Sequence, residues 1–353
     1  MAGITYKCPN CGAYLTFDPE TQQWKCPFCS SAFSEAELKG KAEAFQKEAD
    51  KEAEKQAEQA SGAQVVYHCP SCGSEIMTDE TTVATHCYYC HSPVVLQGKL
   101  TADMKPDEVL PFTIGKEKAI EEITEWIRTR KFVPKKFFSK AQIQEMSGVY
   151  YPHFVSECQT EGVLDGEATT SDVFDEGKYV VTNTRHYHVR REGRFVFKDI
   201  LRPALSKANR KLTEGVHPFP LENAKPFSGA FLSGFLAERR DLEADSYRQE
   251  IEQELQGYMN SMLRDTASQY ETCSASTSSA MKNIKTKYVL LPTWVLTYPN
   301  KKNKDDPYYY VMNGCTGQVC GKLPVDQGRL WRHGLLAGLI VAALFCVLAY
   351  FLF

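Results

Sequence analysis

The chain has 353 residues, 43% hydrophobic and 24% charged, with 41 Lys and Arg against 44 Asp and Glu for a net charge of −3. Those values exclude collagen-like, coiled-coil-only and wholly disordered chains and leave room for roughly two or three domains. A near-neutral balance also argues against a chain-wide polycation gripping nucleic acid by its phosphates, leaving only local basic faces for that role.

The first residues, Met1 to Thr5, carry neither a basic region nor an apolar run, so no secretory signal peptide is expected. The 13 cysteines are odd in number, and eight of them fall into four short pairs. That pattern points to metal in a reducing compartment rather than to a disulfide framework. Cys8-Pro-Asn-Cys11 is followed after fourteen residues by Cys26-Pro-Phe-Cys29, and the unit repeats as Cys69-Pro-Ser-Cys72 and, again after fourteen residues, Cys87-Tyr-Tyr-Cys90. Two thiolates two residues apart sit on one tight knuckle, and two knuckles supply four sulfurs about 2.3 Å from a tetrahedral Zn²⁺. Gly12 and Gly73 follow the second cysteine of their knuckles, where the chain must turn with its amides directed at sulfur. With four protein ligands no coordination position stays open, so two structural zinc ions are expected and no metal-activated water. His68, His86 and His91 flank the second set; one could replace a thiolate, but the cysteine set is complete without them.

Between the units, Ser34 and Glu37 form a capping box ahead of a stretch rich in Ala, Glu, Lys and Gln. Its apolar residues are essentially Leu38 and Phe45, the mark of a solvated helical spacer. Beyond the second unit, Ala119, Ile120, Ile123, Trp126 and Ile127 recur at helical spacing until Pro134, and Ser139 and Gln142 suggest a second short helix closed at Gly148. Strand-like segments follow at Tyr150–Val155, Tyr179–Val181, Tyr187–Val189 and Phe195–Phe197, separated by Gly, Asp and Glu turns. A long helix is expected near 236–265 with Ala244, Tyr247, Ile251, Leu255, Tyr258 and Met262 as its stripe. Strands return at Lys287–Tyr298 and Tyr308–Met312, with Asn313-Gly314 a turn signal before Gln318.

Basic residues cluster twice. Arg128, Arg130, Lys131, Lys135, Lys136 and Lys140 interleave with Phe132, Phe137 and Phe138, and Arg185 to Lys211 holds nine basic residues against Glu192 and Asp199. The readings are an anionic lipid headgroup surface, a nucleic-acid contact, or a solvated face. The ribbons are not basic: residues 1–33 balance Lys7 and Lys25 against Asp18 and Glu20, and residues 64–100 set Lys99 against three acids. Protein contact is therefore favoured over nucleic acid for them.

Gly334 to Phe353 is twenty residues without a charge, about 30 Å of helix and enough for a bilayer's hydrocarbon core. Arg329, Arg332 and His333 precede it and Trp331 suits the interface, so the body is expected in the cytoplasm and the C-terminus outside, a tail anchor in the cell membrane. Gly334, Gly338, Ala342 and Cys346 form a small-residue stripe that would let two such helices pack as an oligomer. No P-loop, nucleophile elbow or HExxH motif is present, so no catalytic residues are assigned and no enzyme is expected. His186 and His188 share a strand face with Asp165 upstream, the weakest candidate for a hidden site; Cys315 and Cys320 flank a turn and read as thiols, while Cys158 and Cys273 read as core.

The ribbon pair carries a resemblance together with Leu110-Pro111-Phe112-Thr113-Ile114 running into Lys116 and Ala119, and Gly148-Val149-Tyr150-Tyr151-Pro152. Gly234-Phe235-Leu236-Ala237-Glu238, Leu290-Leu291-Pro292-Thr293-Trp294 and Met312-Asn313-Gly314 through Thr316-Gly317 to Gly321-Lys322-Leu323-Pro324 extend it over nearly the whole chain. It resembles the bacterial membrane-anchored TFIIB-type zinc-ribbon proteins of the YdjG type. The resemblance implies a cytoplasmic, membrane-attached adaptor working with flotillin-like (SPFH) and phage-shock-A-like proteins in envelope stress, without known catalytic residues. The expected class is a multi-domain α+β chain: two small four-cysteine zinc ribbons (1–33 and 64–100), a polar helical spacer (34–63) between them, a helical segment (101–148), a β-rich domain with one long helix (149–328) and a single C-terminal transmembrane helix (331–353).

Overall fold

The computed structural model describes residues 6–38, 65–69, 71–72, 74–87, 90–96, 104–130, 132–134, 146–298, 308–323 and 325–352. The spacer beyond Leu38, the expected helix at Ser139–Gln142, and Lys131, Lys135, Lys136 and Lys140 lie outside the described residues. The capping box is formed, the Ser34 amide donating to Glu37 Oε2 at 2.7 Å.

The first cysteine unit is a three-stranded antiparallel sheet of β1 (Thr16–Asp18), β2 (Gln23–Lys25) and β3 (Ala32–Phe33). In the second unit, β4 (Val65–His68) pairs with β5 (Glu75–Thr78), while β6 (Thr82–His86) and β7 (Pro93–Val95) form the edge of the large sheet. After β8 (Glu108–Val109) comes helix α1 (Lys116–Arg128), which buries Ala119 and Ile123.

Two very long strands follow, β9 (Ser147–Glu176) and β10 (Tyr179–Pro203), closed by a tight turn at Gly177. Thirty residues at about 3.3 Å each give β9 a length near 100 Å. A short helix α2 (Arg210–Glu214), strand β11 (Lys225–Pro226) and strand β12 (Leu236–Glu238) lead to helix α3 (Arg248–Asp265). The chain closes with β13 (Thr272–Tyr298), β14 (Tyr308–Asn313), β15 (Val319–Gly321) and α4 (Gln327–Leu352). The large sheet runs β11-β8-β13-β9-β12-β6-β7, with β10 on β9 and β14 and β15 beyond β13.

Two expectations change. The segments expected as separate strands within 179–197 are one strand: Glu192 and Gly193, in the stretch expected as a turn, stay in register with Val163 and Gly162, and Glu192 accepts from Arg190 Nε at 2.9 Å. Gly193 lies opposite Gly162, where the side chains of Met259 and Leu263 from α3 press on the sheet; the glycine serves close approach, not a turn. The long helix begins at Arg248, since Leu236–Glu238 is spent as a strand joining β9 to β6. Its buried stripe is Ile251, Leu255, Met259 and Leu263, whereas Tyr258 and Met262 face solvent. The expected turn at Asn313-Gly314 is present: five residues, Gly314 to Gln318, join β14 to β15, with a positive φ of +75° at Gly317.

The segments that carry the resemblance converge in one core. Phe112 stacks on Phe235 at 4.3 Å and meets Tyr150 and Trp294 at 5.0 and 5.1 Å. A Cβ at Gly148 would fall 2.6 Å from the Phe235 ring, and one at Gly314 would fall 2.5 Å from Phe112. Buried Asn313 is fully used: its Nδ2 donates to the Val216 and Pro218 carbonyls at 2.9 Å, and its Oδ1 accepts from the amides of Cys315 and Thr316.

The first ribbon belongs to the same core. Phe17 and Trp24 pack on Phe231 at 5.3 and 5.1 Å, and Trp24 Nε1 donates to the Ala230 carbonyl at 2.8 Å. The Phe17 amide donates to the Ser233 carbonyl at 3.0 Å, and Gln22 Nε2 donates to the Phe112 carbonyl at 2.7 Å. The second ribbon is tied in through β6–β12 pairing and through Lys207, which bridges Asp79 at 2.8 Å and Glu238 at 3.0 Å.

Candidate metal centres

Each knuckle is set by its backbone. The Cys8 amide donates to the Ala13 carbonyl and the Gly12 amide to the Cys8 carbonyl, and the same pattern recurs at Cys26–Ser31 and Cys87–Ser92. The residue after the second cysteine takes a positive φ: Gly12 at +74°, Ser30 at +59° and His91 at +57°. The fourth such position, Gly73, lies outside the described residues. His91 is thereby assigned a backbone role, and among the described residues neither it nor His86 belongs to a ligand group.

The eight expected cysteines gather into two groups, Cys8, Cys11, Cys26 and Cys29, and Cys69, Cys72, Cys87 and Cys90, with all sulfurs in a group within 4.8 Å of one another. The shortest separations are 3.6 Å for Cys8–Cys29, 3.5 Å for Cys11–Cys26, 3.6 Å for Cys69–Cys90 and 3.7 Å for Cys72–Cys87. A tetrahedron with metal–sulfur bonds of about 2.3 Å has edges of about 3.8 Å. Each group can therefore hold one metal ion after sulfur shifts of at most about 1 Å. The first cysteine of every knuckle is buried; the second is exposed, or partly so at Cys90. The clusters thus lie just beneath the surface, with their outer sulfurs in contact with water.

A serine two residues beyond the outer cysteine was not singled out from sequence. Ser31 Oγ lies 3.2 Å from Cys29 Sγ, Ser74 Oγ 3.3 Å from Cys72 Sγ, and Ser92 Oγ 3.1 Å from Cys90 Sγ. Once the sulfur is a thiolate the hydroxyl donates to it, and with the serine amide this holds the Cys29 and Cys72 thiols down to about 6. The fourth knuckle has Ala13 at this position; there the backbone bond from Ala13 is outweighed by the neighbouring thiols, and Cys11 is pushed up to about 12. The repeated Cys-x-Ser spacing in three of the four knuckles was the signal available in the sequence.

The other candidate residues do not assemble with these. His188 Nε2 lies 3.2 Å from Asp165 Oδ1 on an exposed face of β10, and His186 sits further along the same strand. Cys315 and Cys320 are free thiols on separate carbonyls, Pro111 and Lys211. Cys158 is fully buried, and Cys273 is partly buried against the α3 face of the sheet. Arg130 lies over the Trp126 ring at 4.9 Å, at the end of α1 that also carries Arg128. Gly334, Gly338, Ala342 and Cys346 lie along exposed α4.

Two four-cysteine clusters on a β-rich body, followed by one helix apolar and long enough to cross a membrane, define the class of this chain among the described residues. It is similar to the uncharacterized protein YdjG of Bacillus subtilis (strain 168), 28% identical over 342 residues that cover 96% of each chain. No protein-family model and no solved structure matches it.

Proposed function

We propose that the protein is a membrane-anchored adaptor whose two zinc-stabilised ribbons present a docking surface for partner proteins, without chemistry of its own. The observation that carries this reading is the division of labour within the first ribbon. Its hairpin side is consumed by Trp24 and Phe17 against the body, while its knuckle tip presents Phe28, 69% exposed and edge-on to Tyr14 at 5.4 Å. An exposed aromatic on a rigid, uncharged turn suits protein contact better than phosphate contact. All-thiolate ligation favours zinc as the metal, in a closed and structural role.

The second basic cluster supports the same choice. Arg185, Arg190, Arg194, Arg202, Lys207 and Arg210 each face a carboxylate, from Asp172, Asp165, Glu161, Glu254, Asp79 and Glu250 respectively. With six of its nine basic residues already paired within the fold, the cluster releases fewer counterions on meeting nucleic acid. Helix α4 crosses the cell membrane in this reading, with Arg329, Arg332 and His333 on the cytoplasmic side. Arg128 and Arg130 then contribute to a surface for anionic headgroups, and the Gly334–Cys346 stripe permits helix pairing.

The test is a mild-detergent pulldown of the tagged full-length chain from native membranes, read by mass spectrometry and by nucleic-acid stain. The resemblance makes flotillin-like (SPFH) and phage-shock-A-like proteins the partners to seek. A stoichiometric protein partner, lost in Phe28→Ala while both metals are retained, is the expected outcome. Salt-sensitive nucleic acid without such a partner would replace this reading with that of a membrane-tethered nucleic-acid binder.

A further inference from the structure

At the foot of α4 Arg329, Arg332, His333 and Leu336 line an open cavity of about 410 Å³. Positions 329, 332, 333 and 336 are three and four apart and so share one helix face. Arg329, Arg332 and His333 are each placed by a specific contact. The segment 132–134 docks here, with the Asp326 amide donating to the Phe132 carbonyl at 2.7 Å. Arg329 Nη1 donates to the Val133 carbonyl at 3.3 Å, with Asp326 beside it at 3.7 Å. The Phe132 ring meets His333 edge-on at 5.5 Å. Arg332 Nε donates to the Gly328 carbonyl at 3.2 Å, which leaves its two terminal amino groups uncommitted, and among the described residues no carboxylate pairs with it. Leu336 follows one turn towards the apolar stretch, on the same face.

We propose that this cavity is a binding site for one anionic phospholipid. The phosphate sits between the Arg332 and Arg329 guanidiniums with His333 beside it, and the acyl chains run past Leu336 along α4. Guanidiniums bind phosphate oxygens through paired N–H donors. The order basic, basic, apolar along the helix matches the order headgroup to chain in a leaflet, and a soluble phosphate ester would have no use for Leu336. The site is distinct from the diffuse attraction of juxtamembrane charge, because the Val133 carbonyl fixes Arg329 at one side of it. It rests on the reading that α4 crosses a bilayer.

Membrane insertion is checked first and separately, by whether the full-length chain resists alkaline extraction from membranes; release into the supernatant would overturn the membrane reading, and the site with it. Native mass spectrometry of the detergent-purified full-length chain then compares added phosphatidylglycerol with phosphatidylcholine. One phosphatidylglycerol should be retained with a preference on the order of tenfold, given the gain per basic residue at a lipid surface. The variant Arg329→Gln with Arg332→Gln should lose that preference while keeping both bound metals, which shows that the body is folded. A charge-preserving variant, Arg332→Gln with Leu330→Lys, moves the cation to another face and should lose it too. Retained preference in the charge-preserving variant would overturn the site in favour of general surface charge. Displacement of the lipid by millimolar inorganic phosphate would reassign it to a soluble phosphate ester.

Discussion

Ser31, Ser74 and Ser92 act on the metal without touching it. Each hydroxyl is positioned to donate to the outer thiolate of its knuckle, and such supporting hydrogen bonds typically change metal affinity 10–100-fold. Ser74→Ala should weaken the second site by about tenfold and leave the first unchanged, read by competition with a chromophoric chelator. Cys26→Ser and Cys87→Ser should each reduce bound metal from two ions to one, read by elemental analysis. A different residue-scale effect sits in the sheet. His153 is buried with Nε2 lacking a partner among the described residues, and burial pushes its pKa down to about 4. The unfolded imidazole, with an ordinary value near 6.5, takes up a proton that the folded one refuses until about pH 4. Stability should therefore fall as pH drops from about 6.5 to 4, by an amount on the order of 3 kcal/mol. Urea midpoints at pH 7 and pH 5 should differ less for His153→Gln than for the wild-type chain, which separates this loss from acid release of the metals.

At the scale of elements, glycine carries opposite meanings in the blade and in the helix that crosses it. A Cβ at Gly166 on β9 would lie 2.3 Å from the Ser274 carbonyl oxygen and 2.4 Å from Ala275 Cα, both main-chain atoms of β13. Gly257, inside α3, has nothing within 4 Å of the same atom. Gly166→Ala should cost about 1–3 kcal/mol by overpacking, whereas Gly257→Ala should gain about 0.5–1 kcal/mol from helix propensity. Paired urea melts of the two variants check both signs. The same contrast explains what was legible beforehand. The four-cysteine sets, the Ser34–Glu37 cap and the apolar C-terminal helix are local patterns whose partners lie within a few tens of residues. The continuity of β10 was hidden because Glu192-Gly193 reads as a turn until Val163 and Gly162 come opposite it. The α3 stripe slipped towards Tyr258 and Met262 because the choice between adjacent rows is made by Gly162, about a hundred residues upstream, against which Met259 and Leu263 press.

At the scale of the molecule, the first ribbon is part of the fold and not a pendant module. Trp24 is 1% exposed and donates to Ala230, 206 positions away in sequence, a contact no local pattern announces. A metal ion in that ribbon would therefore hold a hairpin whose other side completes the core around Phe231 and Phe112. Metal-binding free energy in small four-cysteine units is on the order of 10 kcal/mol, larger than the net stability of most domains. Its loss should propagate through the shared core rather than stop at the ribbon. Calorimetry of the full-length chain in detergent should show the body's transition moving to lower temperature when the metals are stripped by a chelator. Trp24→Ala should cost about 3–5 kcal/mol with metal present, as expected for emptying a packed aromatic site. It should also shrink the chelator-induced shift of the body, since the hairpin then no longer transmits the knuckle's state to Phe231. An undiminished shift in Trp24→Ala would mean that the coupling runs instead through the second ribbon, by way of β6–β12 pairing and the Lys207 bridge between Asp79 and Glu238. Lys207→Ala in the Trp24→Ala background should then remove what remains.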